Sequence, residues 1–357
     1  MKRLRRFIGA GLMTCLMLTG CGQSIDTENI QDVENGDSIE IGMSFDSFVI
    51  ERWQKDRDVF VSTASALGAS VNVQNASGDV DKQIEQIRYL IDRDVDCLVI
   101  IPIDSGALSE VVKEAKEKDI PIVSYDRLIN QGDTDLYISF DNKSVGQMMA
   151  RALIDAGATK VVKICGPTTD SNVAAVDEGF DDLVESANIQ VLDTYHCDGW
   201  KAELGGAYVY DNIETIREAD GIMCGNDDVA ASVIRALAVS QLAGVIPVVG
   251  QDADLIACQH IVEGTQTMTV YKPVGKLAEQ AAQLSVALAK GEKLDIDNTI
   301  YDGLNDVPYV AVEPIVVNRN NIDSVVIEGG YHAREDVYLN VGETQQDVEN
   351  TELLPEE

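Results

Sequence analysis

The chain has 357 residues, of which 61 are acidic and 27 basic, giving a formal charge of −34. A balance this negative repels nucleic acid and anionic lipid head groups, so neither is expected as a partner of the folded surface. The seven cysteines and three histidines show no CxxC or Cys/His spacing of the zinc type, and neither a metal nor a cofactor is expected.

Residues 1–20 read as an export leader. Lys2, Arg3, Arg5 and Arg6 precede an apolar stretch from Phe7 to Thr19. That stretch falls short of the about 20 residues that span a bilayer and suits a secretory signal. It ends in Leu18-Thr19-Gly20-Cys21, which resembles the bacterial lipobox, where cleavage precedes the cysteine and the thiol carries lipid. The expected mature protein is extracytoplasmic and held to the membrane by Cys21. Loss of the four basic leader residues takes its charge from −34 to −38. Residues 21–38 are acidic, lack apolar periodicity and read as a flexible tether.

From Ile39 the pattern alternates. IEIGMSF reads as a strand and Val49 to Leu67 as a charged helix. ASVNVQNA (strand), DVDKQIEQIRYLIDRD (helix), VDCLVIIPI (strand), GALSEVVKEAKEKD (helix) and IPIVSYD (strand) follow. In the second helix Ile84, Ile87, Leu90 and Ile91 form one apolar face. After YISFDN the alternation restarts, with helices over 143–156, 173–187, 200–217 and 228–240 between the strands TKVVKIC, IQVLDTY, GIMCGN and VIPVVGQD. TMTVY, a helix from Lys276 to Ala289, and the apolar pair VPYVAVEPIVV and DSVVIEGG complete the folded region. The stretch from about Glu335 to Glu357 reads as a frayed acidic tail. Near-continuous apolar strands separated by helices predict two α/β blocks with doubly wound parallel sheets. Beyond Cys15 and Cys21, five cysteines remain, and Cys97, Cys165 and Cys224 sit on strand patterns, where a free thiol acts as a small hydrophobe.

In open parallel sheets ligands bind beyond the carboxyl ends of the strands. The polar residues there are Asp46, Arg52 and Trp53, then Asp126 and Arg127, Asp170 and Asn172, and Trp200. Asn226, Asp227, Asp252 and Lys272 complete the set, and a helix N-cap is the preferred reading of Asp227. Asp126, Asp170 and Asp252 balance Arg52, Arg127 and Lys272 in charge. Such a site suits a neutral polyol, whose hydroxyls both donate and accept, with Trp53 and Trp200 placed to stack on the C–H face of a sugar ring.

The motifs IGMSFD, ERWQKDRD, LVIIP, SYDRLIN, YISFDN, GND, GQDADL and GTQTMTVYKP resemble the bacterial D-xylose-binding proteins of ABC sugar importers. These are a branch of the ribose/galactose-type (type I) periplasmic binding proteins. The resemblance runs from Ile39 to about Gly330. It implies two similar domains, residues 39–140 with 273–310 and residues 141–272 with 311–334, joined by three segments at a hinge. It also implies a monosaccharide ligand, ABC permease subunits as partners, and sugar contacts at Arg52, Asp126, Arg127, Asp170, Asn172, Trp200, Asn226, Asp252 and Lys272. Trp53 matches a stacking aromatic. The wording of Gly166 to Asp170 departs from the family's, and Asp295 to Asp297 do not reproduce the calcium loop of its galactose-binding branch.

An enzyme is the weaker reading: there is no GxSxG, GxxxxGK[ST] or GxGxxG after the first strand, and His196, His260 and His332 lie far apart. A sugar-responsive repressor would need a basic DNA-binding segment where the acidic tether stands. A sensor that presents bound sugar to a receptor or histidine kinase is the alternative to an importer component.

Overall fold

The computed structural model describes residues 39–341; the leader, Cys21, the tether and the tail beyond Val341 lie outside them. The first block comprises β1 (Glu40–Phe45), α1 (Arg52–Ala66), β2 (Ser70–Asn75), α2 (Val80–Asp92), β3 (Cys97–Ile100), α3 (Ser109–Lys116), β4 (Ile122–Tyr125) and β5 (Leu136–Phe140). The second holds α4 (Asn142–Asp155), β6 (Lys160–Cys165), α5 (Ser171–Ser186), β7 (Gln190–His196), α6 (Ala202–Asp211), α7 (Ile213–Glu218), β8 (Gly221–Cys224), α8 (Asp227–Val239), β9 (Val248–Gln251), α9 (Leu255–Glu263) and β10 (Met268–Tyr271). The chain then runs through α10 (Val274–Ala289), β11 (Thr299–Tyr301), β12 (Asp306–Val312), β13 (Ile315–Val317) and α11 (Arg334–Val337).

Two sheets result, ordered β11-β12-β5-β4-β3-β1-β2 and β13-β10-β9-β8-β6-β7. Each is parallel apart from one antiparallel edge strand, β11 in the first and β13 in the second. Helices cover both faces, so the central strands β3, β4, β8 and β9 are wholly buried. The chain crosses between sheets at Asp141, at Lys272-Pro273 and at Glu313-Pro314. The third crossing follows Val312, which still pairs with Phe140, two residues later than the boundary read from sequence.

Local chemistry explains the elements. In α2 the stripe of Ile87, Leu90 and Ile91 is buried, and Asp79 caps the helix by accepting from the Lys82 amide at 3.0 Å. Each such aliphatic side chain contributes about 1.5–3 kcal/mol on full burial. In α1 the buried face carries Arg52, Trp53, Asp56, Phe60 and Ala64, so a charged pair faces inward at its first turn. The five described cysteines are free and buried. No described helix is long and apolar enough to cross a membrane.

Two elements differ from expectation, and one apolar stretch takes a conformation that the pattern leaves open. The 200–217 helix is broken: Gly199 and Trp200 adopt left-handed φ of 59° and 57°, and Asn212 at φ −120° separates α6 from α7. DSVVIEGG forms a helical turn over Asp323–Ile327, because Ile322 and Val326, one turn apart, both bury against Val317 and Ile261. Glu335 does not open a frayed tail: Val337 in α11 is fully buried in that same cluster.

Helices α4 and α5 cross at backbone contact. A Cβ on Gly179 would lie 1.9 Å from the Lys143 carbonyl oxygen, and one on Gly146 1.9 Å from that of Val176. Gly179→Ala should destabilise the fold by about 1–3 kcal/mol. Gly275→Ala, in the first turn of α10 with nothing within 4 Å of its Cβ position, should be neutral or stabilising. Urea unfolding of both variants distinguishes these; equal effects would contradict the close crossing.

Candidate functional site

The carboxyl ends of the strands bring polar side chains together from both sheets. Arg52 and Trp53 stand on the first turn of α1, and Asp126 and Arg127 directly follow β4. From the second sheet come Asp170 and Asn172 after β6, Trp200 after β7, Asn226 after β8, Asp252 after β9 and Lys272 after β10. All ten line one cavity of about 490 Å³, its open mouth included. Val173, Val176 and Met223 supply an apolar wall, and Gln251 a further amide.

The charges in this cavity are paired. Arg127 reaches Asp170 at 2.7 Å through Nε and Asp46 at 2.8 Å through a terminal nitrogen, which also donates to the Pro102 carbonyl. Arg52 lies 2.7 Å from Asp126, 3.2 Å from Asp56 and 3.9 Å from Asp252. Lys272 is 3.4 Å from Asp252. Asn172 donates to Asp126 at 3.1 Å and accepts from Tyr137 and Asn142, so a residue of the second sheet's lobe locks onto the first. Ser105 on Thr169 and the Leu128 amide on Ser171 add interlobe bonds of 2.8–3.0 Å.

The environment tunes these groups. Burial pushes the Asp126 carboxyl up, but Arg52, Lys272 and Arg127 together outweigh it and hold it below the ordinary range. Asp46 and Asp56 are raised by burial despite their arginine partners. For Arg52 and Arg127 the surrounding acids overcome burial and keep both guanidinium groups charged.

Three cavity residues are held in left-handed backbone: Asp126 at φ 63°, Trp200 at 57° and Asp252 at 102°. Such conformations cost on the order of 1–3 kcal/mol each and persist only where the surroundings dictate them. The Asp126 carbonyl accepts from both Tyr137 and Ser139, and its amide donates to Ile138 at 2.8 Å. Asp252 donates its amide to Val270 at 2.8 Å, and the next carbonyl, of Ala253, bonds the His332 ring. Trp200 lies flush on Gly166, where a Cβ would come within 2.3 Å of the indole, and its Nε1 donates to Asp170 at 3.0 Å.

Trp53, amid the charges of IERWQKDRD, is 1 % exposed. It meets Phe45 edge-on at 6.2 Å, with the Arg52 and Arg127 guanidinium groups 4.4 and 5.6 Å from its ring. Its Nε1 is buried without a hydrogen-bond partner, as is Oε1 of Gln251. Buried polar atoms are rarely left so, and here a donor and an acceptor sit on the wall of one cavity.

Sequence reasoning missed the supports. Asp46 backs Arg127, a role that its place after β1 does not signal, and Asp56 backs Arg52, for which the i,i+4 spacing is the visible signal. Asp227 is not the cap of α8. Asn226 is, accepting from the Val229 amide at 3.0 Å, while Asp227 is buried and takes bonds from Thr269 and Gln266. Its short side chain, one residue inside the helix, is turned inward to those donors.

Two lobes meet around a buried polar cavity, the architecture of a solute-binding site. The chain belongs to the periplasmic binding protein family, whose model, described as a periplasmic binding protein domain, matches residues 41–293. It is 40 % identical over 307 residues to a D-xylose-binding periplasmic protein of Haemophilus influenzae, covering 84 % of this chain and 92 % of that one. It is 42 % identical over 306 residues to the protein of the same name from Escherichia coli, with the same coverage. Among solved structures it resembles an ABC transporter solute-binding protein from Clostridium phytofermentans with bound β-D-glucose, at TM-score 0.76 and 25 % identity, over 84 % of this chain and 99 % of that one.

Because Asp126 is held low, its ion pair contributes stability in full above about pH 4, the unfolded value, and loses it as acid protonates the folded group. The stability gap between wild type and Asp126→Asn, measured by urea unfolding, should be wide at neutral pH and shrink progressively as the pH falls below about 4. A gap that does not change with pH would contradict the pairing.

Proposed function

We propose that this protein captures an uncharged monosaccharide, D-xylose foremost, between its two lobes and delivers it to an ABC-type permease. The observation that carries this reading is the internal pairing of the cavity. Arg52, Arg127 and Lys272 each already face a carboxylate, so no cation is left over for an anionic ligand. A sugar hydroxyl donates one bond and accepts others, which suits carboxylates and guanidinium groups standing side by side. The indoles of Trp53 and Trp200 offer apolar faces to the C–H side of a pyranose. The two relatives named for D-xylose, at 40 % and 42 % identity, support the pentose, and the glucose-bound structure supports the ligand class.

In this reading the ten cavity residues contact the sugar, while Asp46 and Asp56 hold the two arginines in place. The bonds from Arg127 to Asp170 and from Asn172 to Asp126 form as the lobes swing together at the three crossings, burying the ligand. The leader pattern ending at Cys21 supports an extracytoplasmic protein tethered by lipid. Cys21→Ser should then release the protein from membranes and abolish its labelling by a fatty-acid probe.

Calorimetric titration of the leader-free protein against pentoses and hexoses tests the function. D-xylose should bind most tightly. Asp252→Ala, which leaves sugar and lysine groups unpaired at about 1–3 kcal/mol, should weaken it at least about tenfold. Unaltered affinity in Asp252→Ala, or no binding of any sugar, would contradict the proposal.

A further inference from the structure

One set of bonds between the lobes lies away from the cavity. Ser105, in the turn between β3 and α3, donates twice to the Thr169 carbonyl, at 3.0 Å through its amide and at 2.9 Å through its hydroxyl. The Leu128 amide, after β4, donates to the Ser171 hydroxyl at 2.8 Å. Ser105 and Leu128 belong to the first sheet's lobe, Thr169 and Ser171 to the second's. None of these four residues lines the cavity.

The first-lobe side of this contact is braced within its own lobe. The Asn130 amide donates to the Ser105 carbonyl at 2.7 Å, and the Asn130 side chain donates to the Ser105 hydroxyl at 3.2 Å. The turns after β3 and β4 are thereby tied together, and their donors meet the second lobe as a unit. Ser105 is itself buried, whereas Thr169 is exposed, so the contact sits at the rim of the cleft.

The contact also stands off the hinge. The crossings leave the first sheet at β5 and β12 and reach the second at β10 and β13, whereas Ser105 follows β3 and Thr169 follows β6. In the strand orders, β3 is the second strand over from β5 and β6 the third from β10. At about 4.8 Å per strand these offsets are about 10 and 14 Å. A rotation of about 20° around the crossings would move such points apart by roughly 3–5 Å, beyond hydrogen-bond reach. Opening the lobes therefore breaks these bonds, whichever ligand lies between them.

We propose that Ser105 and Ser171 form a latch that sets how long the closed lobes retain their sugar, without touching it. The inference rests on the sugar-binding reading above. Bonds made only in the closed state raise its population, and the affinity for every sugar rises by the same factor. They act on release rather than capture, because sugar enters before they form. Both serines are positioning residues: they hold the lobes, and the cavity residues choose the ligand.

Stopped-flow fluorescence reads the latch, since Trp53 and Trp200 both line the cavity. In Ser105→Ala and in Ser171→Ala, D-xylose should dissociate about two- to tenfold faster, the range expected for one hydrogen bond. Association should change by less than about twofold, and the ratio of affinities for D-xylose and any second sugar that wild type binds should stay the same. Ser62→Ala removes a hydroxyl bonded to the Val59 carbonyl within α1 and should leave both rates unaltered. Dissociation at the wild-type rate in the serine variants would overturn the proposal. A weakening carried by slower association, or a changed preference among sugars, would overturn it as well. The two serines stand on opposite lobes, so if one variant fails to fold the other decides. Absence of any sugar response in wild type would instead remove the sugar reading, and the latch with it.

Discussion

The Arg127 guanidinium ties the structure together. It bridges Asp46 at the end of β1 and Asp170 at the head of α5, so one side chain spans the carboxyl ends of strands in both sheets. All three groups are almost fully buried, where an unpaired charge would cost several kcal/mol. Each member therefore depends on the other two, and the contact joins the two lobes. The Trp200 indole shares Asp170 with Arg127 and packs against core clusters on both sides of the cleft.

Much of this was readable from residue order. Continuous apolar strands alternating with helices define the two sheets, because strands covered on both faces tolerate few polar groups. The same rule exposes the cavity: in a parallel sheet the first polar residue past each strand lands at the carboxyl edge. Asp126, Asp252 and Lys272 follow their strands by one residue, and all reach the same space. Family resemblance then supplied the sugar, which charge balance alone leaves as an uncharged polar ligand.

What escaped the sequence depends on which donor meets which acceptor in three dimensions. Asn226 and Asp227 are adjacent acceptors at one helix start, and only the positions of Gln266, just before β10, and Thr269, on it, decide that the first caps and the second turns inward. Asp254 stands at the ordinary cap position of α9, yet neither of its buried oxygens is bonded, and its own amide donates to Asp227. The break at Gly199-Trp200 is a case of site geometry overriding helix pattern, since the left-handed turn seats the indole on Gly166. DSVVIEGG carries apolar residues compatible with strand or helix, and the i,i+4 burial of Ile322 and Val326 selects the helix.

The central claim is that arginine, lysine and aspartate groups neutralise one another inside the cleft, leaving a place for a ligand without charge. Competition between D-xylose and its carboxylate analogue D-xylonate measures this most directly. Xylose should bind and xylonate should be weaker by at least about a hundredfold, since its charge would be buried with no free cation to meet it. Equal or tighter binding of xylonate would show that the cleft holds surplus positive charge and is not built for an uncharged ligand.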